Sequence, residues 1–342
     1  MNVTIKDVAK AAGVSVATVS RVLNSSATVS AAATEQVNNA IKELGYSPNF
    51  LGRNLRKCET NVILAIIPST EHTFYSDIIR GMQAAASENG YDILLSTSNS
   101  DYNIEMRMLN MLFNRTVDAA ILLGTQLDAD TLNDLNNKFY IALCCERVEN
   151  ADVLTISVDD ELGAYSAVKN LISFGHKKIA MVSTAGKALS SVDREKGYIR
   201  ALKENNIPIN EKYIFRGEYD FEYGQEAFDY FMSLPEPPTA IFCISDLLAV
   251  GTIKEALLKG YKIGEDISVC GFDNIQLSGM YTPGITTVEQ PCYEIGKTVV
   301  NELIYNLSHA KKHSRHIKLP TTLIQRESVQ KINWCDDICD NV

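Results

Sequence analysis

The chain has 342 residues, 46% of them hydrophobic and 22% charged, with 32 Lys and Arg against 42 Asp and Glu. That length allows two or three domains with a sizeable core, and that balance excludes global disorder, collagen-like and fibrous classes. No apolar run opens the sequence and none reaches about 18 residues later, so neither a signal peptide nor a membrane span is expected, and a cytoplasmic location is. The eight cysteines, Cys58, Cys144, Cys145, Cys243, Cys270, Cys292, Cys335 and Cys339, are irregularly spaced and read as reduced thiols, several inside apolar runs.

Charge is unevenly placed. Residues 1–60 carry seven Lys or Arg against four Asp or Glu, a net +3, and the remainder carries −13. The head is therefore the part expected to meet a polyanion. Within it, Thr4 with Asp7 three residues later forms a capping-box start. Val8, Ala9 and Ala12 give a first apolar helical stripe, and Gly13 stops that helix. Ser15 can cap a second helix with Val19, Val22 and Leu23 inward and Val16, Ala17, Thr18, Ser20 and Arg21 outward. Ser30 can cap a third, with Val37, Ala40, Ile41 and Leu44 on one side and Gly45 at its end. Two short helices joined by a Gly-containing turn and braced by a third describe an all-α helix-turn-helix, whose second helix is slim enough for a major groove. A three-helix scaffold or protein-docking module shares the same periodicity.

Residues 49–57 follow Pro48 and are amphipathic over only about two turns, a length marginal for an isolated helix. From residue 62, apolar strand-like runs alternate with helical patterns. A first series comprises 62–67, 76–89, 93–95, 104–113, 117–123, a polar helix and 141–144. A second comprises 167–174, 179–182, 193–205, 223–234, 240–244, 246–259 and 268–272. Such alternation predicts α/β architecture, with two doubly wound parallel-sheet sub-domains and ligands at the carboxyl ends of the strands. Asp273 follows an apolar run and so falls at such a strand end. The domains read as 1–48 for the head, 49–60 for a hinge, 61–330 for a two-lobed body whose chain crosses between lobes, and 331–342 for an acidic tail.

The run from Val3 to Asn24, VTIKDVAKAAGVSVATVSRVLN, resembles the DNA-binding head of the LacI/GalR repressors, and Glu43 to Asn49, ELGYSPN, resembles that family's entry to the hinge. Tyr91–Leu95, Val117–Leu122, Phe174–Ala180, Pro238–Phe242, Val269–Asn274 and Thr286–Pro291 extend the likeness through the family's effector domain, to about Glu327. The fold this implies for the body is that of periplasmic sugar-binding proteins. One departure is Ala33-Thr34, where the family usually has Thr-Arg, which removes a phosphate contact and so lowers non-specific affinity.

The resemblance implies base contacts from Val16, Ala17 and Arg21, the arginine to guanine and the small residues to a thymine methyl. It implies phosphate contacts from Thr4, Thr18, Ser20 and Asn24. It implies a hinge helix over Asn49, Gly52 and Leu55, with Leu55 as a minor-groove wedge; such a wedge costs roughly a few kcal/mol of unstacking. Gly52 stands where the family usually has Ala, which costs about 1 kcal/mol of helix propensity. In the cleft, Asp273 can accept from two sugar hydroxyls and Arg194 matches the ligand-binding arginine. Ser245 replaces a frequent Asn, Glu146 and Gln290 match polar positions, and Phe74 and Phe221 can cover an apolar sugar face.

No phosphate loop, dinucleotide fingerprint, zinc spacing or catalytic set occurs, so no enzyme, cofactor or metal is expected. The reading is a homodimeric, sequence-specific transcription regulator on near-palindromic operator DNA. It is a repressor of carbohydrate-utilisation genes, controlled by a sugar or sugar-phosphate effector. Alternatives are a global carbon-catabolite regulator with a phosphocarrier protein as co-regulator, a sugar receptor without DNA regulation, and an enzyme with a fused head.

Overall fold

The computed structural model describes residues 3–24, 29–46, 59–186, 188–310 and 312–332. Asn49, Gly52, Leu55, the side chain of Asn24 and most of the tail lie outside these residues. The chain divides into two compact units, Met1–Thr60 and Asn61–Val342.

In the first unit, α1 (Ile5–Ala11), α2 (Val16–Asn24) and α3 (Ala31–Leu44) form the head. Each start is fixed by a short polar side chain, which satisfies amides that a helix leaves free. The Asp7 carboxylate accepts from the Thr4 amide at 2.9 Å and its hydroxyl at 2.7 Å. Ser15 Oγ accepts from the Thr18 amide, and Ser30 Oγ from that of Ala33. Gly13 and Gly45 adopt φ of +65° and +59°, left-handed conformations that close α1 and α3. Val8, Ala9, Ala12, Val19, Val37 and Ala40 form the core, with Val22, Leu23 and Ile41 packed around it. Leu44, expected to face inward, is exposed at the last position of α3, where no further turn flanks it.

The second unit comprises β1 (Val62–Ile67), α4 (Phe74–Glu88), β2 (Asp92–Thr97), α5 (Tyr102–Phe113), β3 (Ala119–Leu122), α6 (Ala129–Lys138), β4 (Tyr140–Cys144) and β5 (Leu154–Val158). It continues with α7 (Asp160–Ser173), β6 (Ile179–Thr184), α8 (Leu189–Glu204), β7 (Ile214–Gly217), α9 (Phe221–Met232), β8 (Ala240–Cys243), α10 (Asp246–Leu258) and β9 (Ser268–Asp273). The last elements are α11 (Gln276–Met280), β10 (Thr286–Glu289), α12 (Cys292–Ser308), β11 (His316–Leu319) and β12 (Thr322–Ile324). Two six-stranded sheets result, ordered β11-β5-β4-β3-β1-β2 in lobe 1 and β12-β10-β9-β8-β6-β7 in lobe 2. All pairings are parallel except β10 with β12. The central strands are buried on both faces, which is why they read as unbroken apolar runs rather than alternating ones.

The alternation placed most of these elements, and the lobe boundary differs from the simple two-series reading. Strand β5 had merged into loop, and α7 begins at Asp160 rather than near 167. After β10 the chain returns to lobe 1 as α12, which packs on α4 through glycines. A Cβ on Gly81 would lie 2.1 Å from the Tyr293 carbonyl oxygen, and one on Gly296 2.0 Å from that of Ile78. Only glycine permits so close a backbone approach. The chain thus crosses between lobes three times, at 158–160, 289–292 and 319–322, and Asp160 and Gln290 sit at the first two crossings.

Candidate ligand cleft and nucleic-acid face

Between the lobes, at the carboxyl ends of the strands, four polar side chains converge in near-complete burial. Arg194 on α8 and Asp160 at the start of α7 are each 7% exposed, and Asp273 at the end of β9 and Gln290 at the second crossing 5%. Arg194 Nε donates to Asp160 Oδ1 at 2.8 Å, and its Nη1 donates to the Ile244 carbonyl at 2.5 Å and lies 3.6 Å from Asp273 Oδ1. The guanidinium carbon also stands 3.8 Å from the Phe272 ring centroid. Gln290 Nε2 donates to Asp273 Oδ1 at 2.8 Å, and the Tyr219 hydroxyl to Asp273 Oδ2 at 3.4 Å. Asp273 has φ of +117°, so its carboxylate is aimed by a backbone conformation that L-residues rarely hold.

Burial dominates the electrostatics. It pushes Asp273 up to about 7 against the opposing pull of Arg194, with the Asp246 charge adding to the rise. It pushes Asp160 up to about 6, again opposed by Arg194. Burial works against the Arg194 charge, yet Asp160 and Asp273 hold its pKa above the ordinary value. The guanidinium is therefore fixed and permanently charged between two carboxyls that titrate near neutrality. Asp246 is likewise raised to about 6 by burial, and accepts from Ser278, Thr287 and the Ile275 amide. It braces the β9 and β10 ends.

The lobes also touch across the cleft. Glu146, just after β4, accepts from the Ser190 amide at 3.0 Å and its hydroxyl at 2.6 Å. Arg147 pairs with Asp193, and the rings of His72 and Tyr219 meet edge to face at 5.8 Å. Both α8 partners belong to lobe 2, so these contacts form a latch between lobes.

Of the residues expected in the cleft, Arg194, Asp273 and Gln290 form one bonded cluster, and Glu146 belongs to the latch. Ser245 is fully buried and caps α10 by accepting from the Leu248 amide. Phe74 packs with lobe 1's core and meets Tyr75 edge to face at 5.4 Å, while Phe221 packs with that of lobe 2. Asp160, Tyr75, Tyr219 and His72 had not been singled out. Asp160 also follows a strand end, though Thr155 and Ser157 interrupt the apolar pattern of that strand. Tyr75 adjoins Phe74, and its hydroxyl is pushed up first by burial and then by the charges of Cys145, Asp273 and Glu146. Nothing local marks Tyr219 or His72. Among the described residues no group of three or more His, Cys, Asp or Glu is placed to hold a metal ion.

On the head, Val16, Ala17 and Arg21 lie exposed along one face of α2, with Thr18 and Ser20 half-buried beside them. Thr4 is exposed at the start of α1.

Residues 4–49 match the family described as "Bacterial regulatory proteins, lacI family", and residues 60–327 match "Periplasmic binding proteins and sugar binding domain of LacI family". The chain belongs to the LacI family. It is 36% identical over 295 residues to the HTH-type transcriptional repressor CytR of Escherichia coli (strain K12), covering 86% of each chain. It is 34% identical to Catabolite control protein A of Priestia megaterium, covering 96% of this chain and 100% of that one. The lac repressor dimer bound to operator and the anti-inducer ONPF superposes with a TM-score of 0.87 at 26% identity, covering 96% of this chain and 100% of that one. This LacI-family chain is accordingly a DNA-binding transcription regulator that joins a helix-turn-helix head to a sugar-binding-type body of two parallel-sheet lobes. No described helix is long and apolar enough to cross a membrane.

Proposed function

We propose that the protein is a cytoplasmic, non-enzymatic repressor of carbohydrate-utilisation genes, acting as a homodimer on a near-palindromic operator. Residues 1–48 read DNA, 49–60 connect, and 61–330 bind effector and pair the subunits. Val16, Ala17 and Arg21 contact bases, with Arg21 on guanine, and Thr4, Thr18, Ser20 and Asn24 contact phosphates. Asn49, Gly52 and Leu55 form the minor-groove hinge, with Leu55 as the wedge. Pairing by a second copy is supported by exposed Leu94 and Leu95 on the edge strand β2 and by Leu277 and Met280 on α11.

The observation that carries the effector assignment is the buried Asp160–Arg194–Asp273–Gln290 cluster beside the lobe crossings. A polyol offers paired donors to Asp273 and an acceptor to Arg194, while Glu146, Phe74, Phe221 and Ser245 shape the surrounding cleft. Occupancy changes the balance between open and closed lobes, and through it the spacing of the two hinges in a dimer.

The test is operator selection on purified protein, followed by titration of that complex with sugars and sugar phosphates. Arg21→Ala is expected to cost about 1–3 kcal/mol and relax preference at one base pair; unchanged preference overturns the recognition-helix assignment. Asp273→Ala is expected to abolish the effector response, and a normal response overturns the cleft assignment.

A further inference from the structure

Cys144 is the last residue of β4 and Cys145 is the residue after it, both outside the bonded cluster around Asp273. Had the strand continued, the two adjacent thiols would point to opposite faces. Cys145 instead has φ of +69°, a left-handed conformation uncommon for a residue with a side chain, and its Sγ lies 3.7 Å from that of Cys144. Both thiols are free. Backbone strain of this kind persists where surrounding structure enforces it, and here it faces two thiols toward each other. The next two residues are Glu146 and Arg147, which cross the cleft to Ser190 and Asp193. The dithiol is thus the covalent root of the latch between lobes.

We propose that Cys144 and Cys145 form a redox site that an oxidant of the peroxide class converts to a vicinal disulfide, releasing the latch. Cys145 is half-buried and Cys144 fully buried, so Cys145 meets the oxidant first and Cys144 resolves the intermediate. With a peroxide, the Cys145 thiolate attacks one oxygen, the O–O bond breaks, and the departing oxygen leaves as water, giving a sulfenic acid. Cys144 then loses its proton and attacks the sulfenic sulfur, the S–O bond breaks, and a second water leaves. The two thiols give up two protons and two electrons, and hydrogen peroxide is reduced to two waters.

The sulfurs must close from 3.7 Å to a bond of about 2.05 Å, which turns the Cys145 backbone and displaces Glu146. Adjacent Cα atoms are about 3.8 Å apart, below the ordinary disulfide range of about 4.4–6.8 Å, so the eight-membered ring is strained and readily reduced by cellular thiols. That suits a reversible sensor rather than a structural link. The hydrogen bond to Cys144 and burial both keep the Cys145 thiol protonated, so reaction is gated by opening of the cleft.

The experiment treats reduced full-length protein with hydrogen peroxide, alkylates it, and follows peptide mass and deuterium uptake. The peptide holding both cysteines is expected to lose two hydrogen masses, reversibly with glutathione, while exchange over residues 189–193 speeds up about fivefold as the latch bonds are lost. Cys145→Ser should show neither change, and Cys144→Ala replaces it if that variant fails to fold. Full alkylation after oxidant, a disulfide joining Cys292 instead, or a vicinal disulfide with unchanged exchange at 189–193 each overturns the proposal.

Discussion

The two lobes share one strand order, in which the second, first, third, fourth and fifth strands lie side by side and a late strand adds to the far edge, parallel in lobe 1 and antiparallel in lobe 2. They divide the chemistry unequally. Lobe 2 supplies Arg194, Asp160 and Asp273, a buried charged cluster in which Arg194 bonds Asp160 at 2.8 Å and lies 3.6 Å from Asp273, with the exposed Tyr219 at its edge. Lobe 1 supplies Glu146, Arg147, His72 and Tyr75 on loops and helix starts around it. The same scaffold therefore serves as a charged floor in one copy and a rim that reaches over it in the other. Function is set by residues at strand ends, which the sheet positions without constraining their type.

Arg194→Leu breaks this contrast most severely. It strands Asp160 and Asp273 without their counter-charge, and removal of one partner from a buried ionic cluster costs roughly 3–5 kcal/mol. The urea midpoint should fall accordingly, and amide protection should drop in lobe 2 first. Equal loss in both lobes would contradict a cluster that belongs to lobe 2.

Ser190→Ala removes a hydroxyl that donates to the Glu146 carboxylate at 2.6 Å. A hydrogen bond to a charged group is worth about 1.5 kcal/mol at the lower end of its range. The closed arrangement should lose about that much, read as faster exchange in α8 with the strands unaffected. Unchanged exchange would remove Glu146 from the latch.

The smallest effect sharpens the contrast through pH. Asp273 is raised to about 7 and Asp160 to about 6, chiefly by burial. Groups raised in the folded state add stability that is complete below their unfolded value near 3.8 and is lost as pH rises through the folded value. His176 and His316, lowered from 6.5 by burial, act in the opposite sense, since their unfolded forms take up protons around pH 6.5 and so weaken the fold as pH falls through that value. An Asp273→Asn variant keeps both histidines, so its difference from the native chain isolates the carboxyl, and between pH 6.5 and 8 the native chain should lose about 1 kcal/mol relative to that variant. A difference that stays constant over that interval refutes the titrating cluster.

Much of this was legible before any tertiary contact was known. Thr4 with Asp7, Ser15, Ser30, Gly13 and Gly45 announced the head's helices, because capping and left-handed closure depend on residues three or four apart. Asp273 was legible for a similar reason, since a carboxylate ending an apolar strand must emerge at the crevice. Asp160 carried a fainter mark, because Thr155 and Ser157 interrupt the apolar pattern of Leu154–Val158 and the strand did not separate from the loops around it. The helix from Cys292 to Ser308 was missed for a different reason. Its apolar face is cut to fit α4 through Gly296, and nothing near it in sequence says which lobe it joins.

Local order in the chain thus determined where helices and strands begin, which face of α2 is left bare, and which strand ends carry charge. Those outcomes follow from hydrogen bonding and burial over a few residues. Only the tertiary structure decided that the chain crosses three times, that Arg194 lies between Asp160 and Asp273, and that Glu146 reaches Ser190. These pairings join residues 34, 79 and 44 positions apart. They exist because burial forces each charge to find a partner, wherever the fold has brought one.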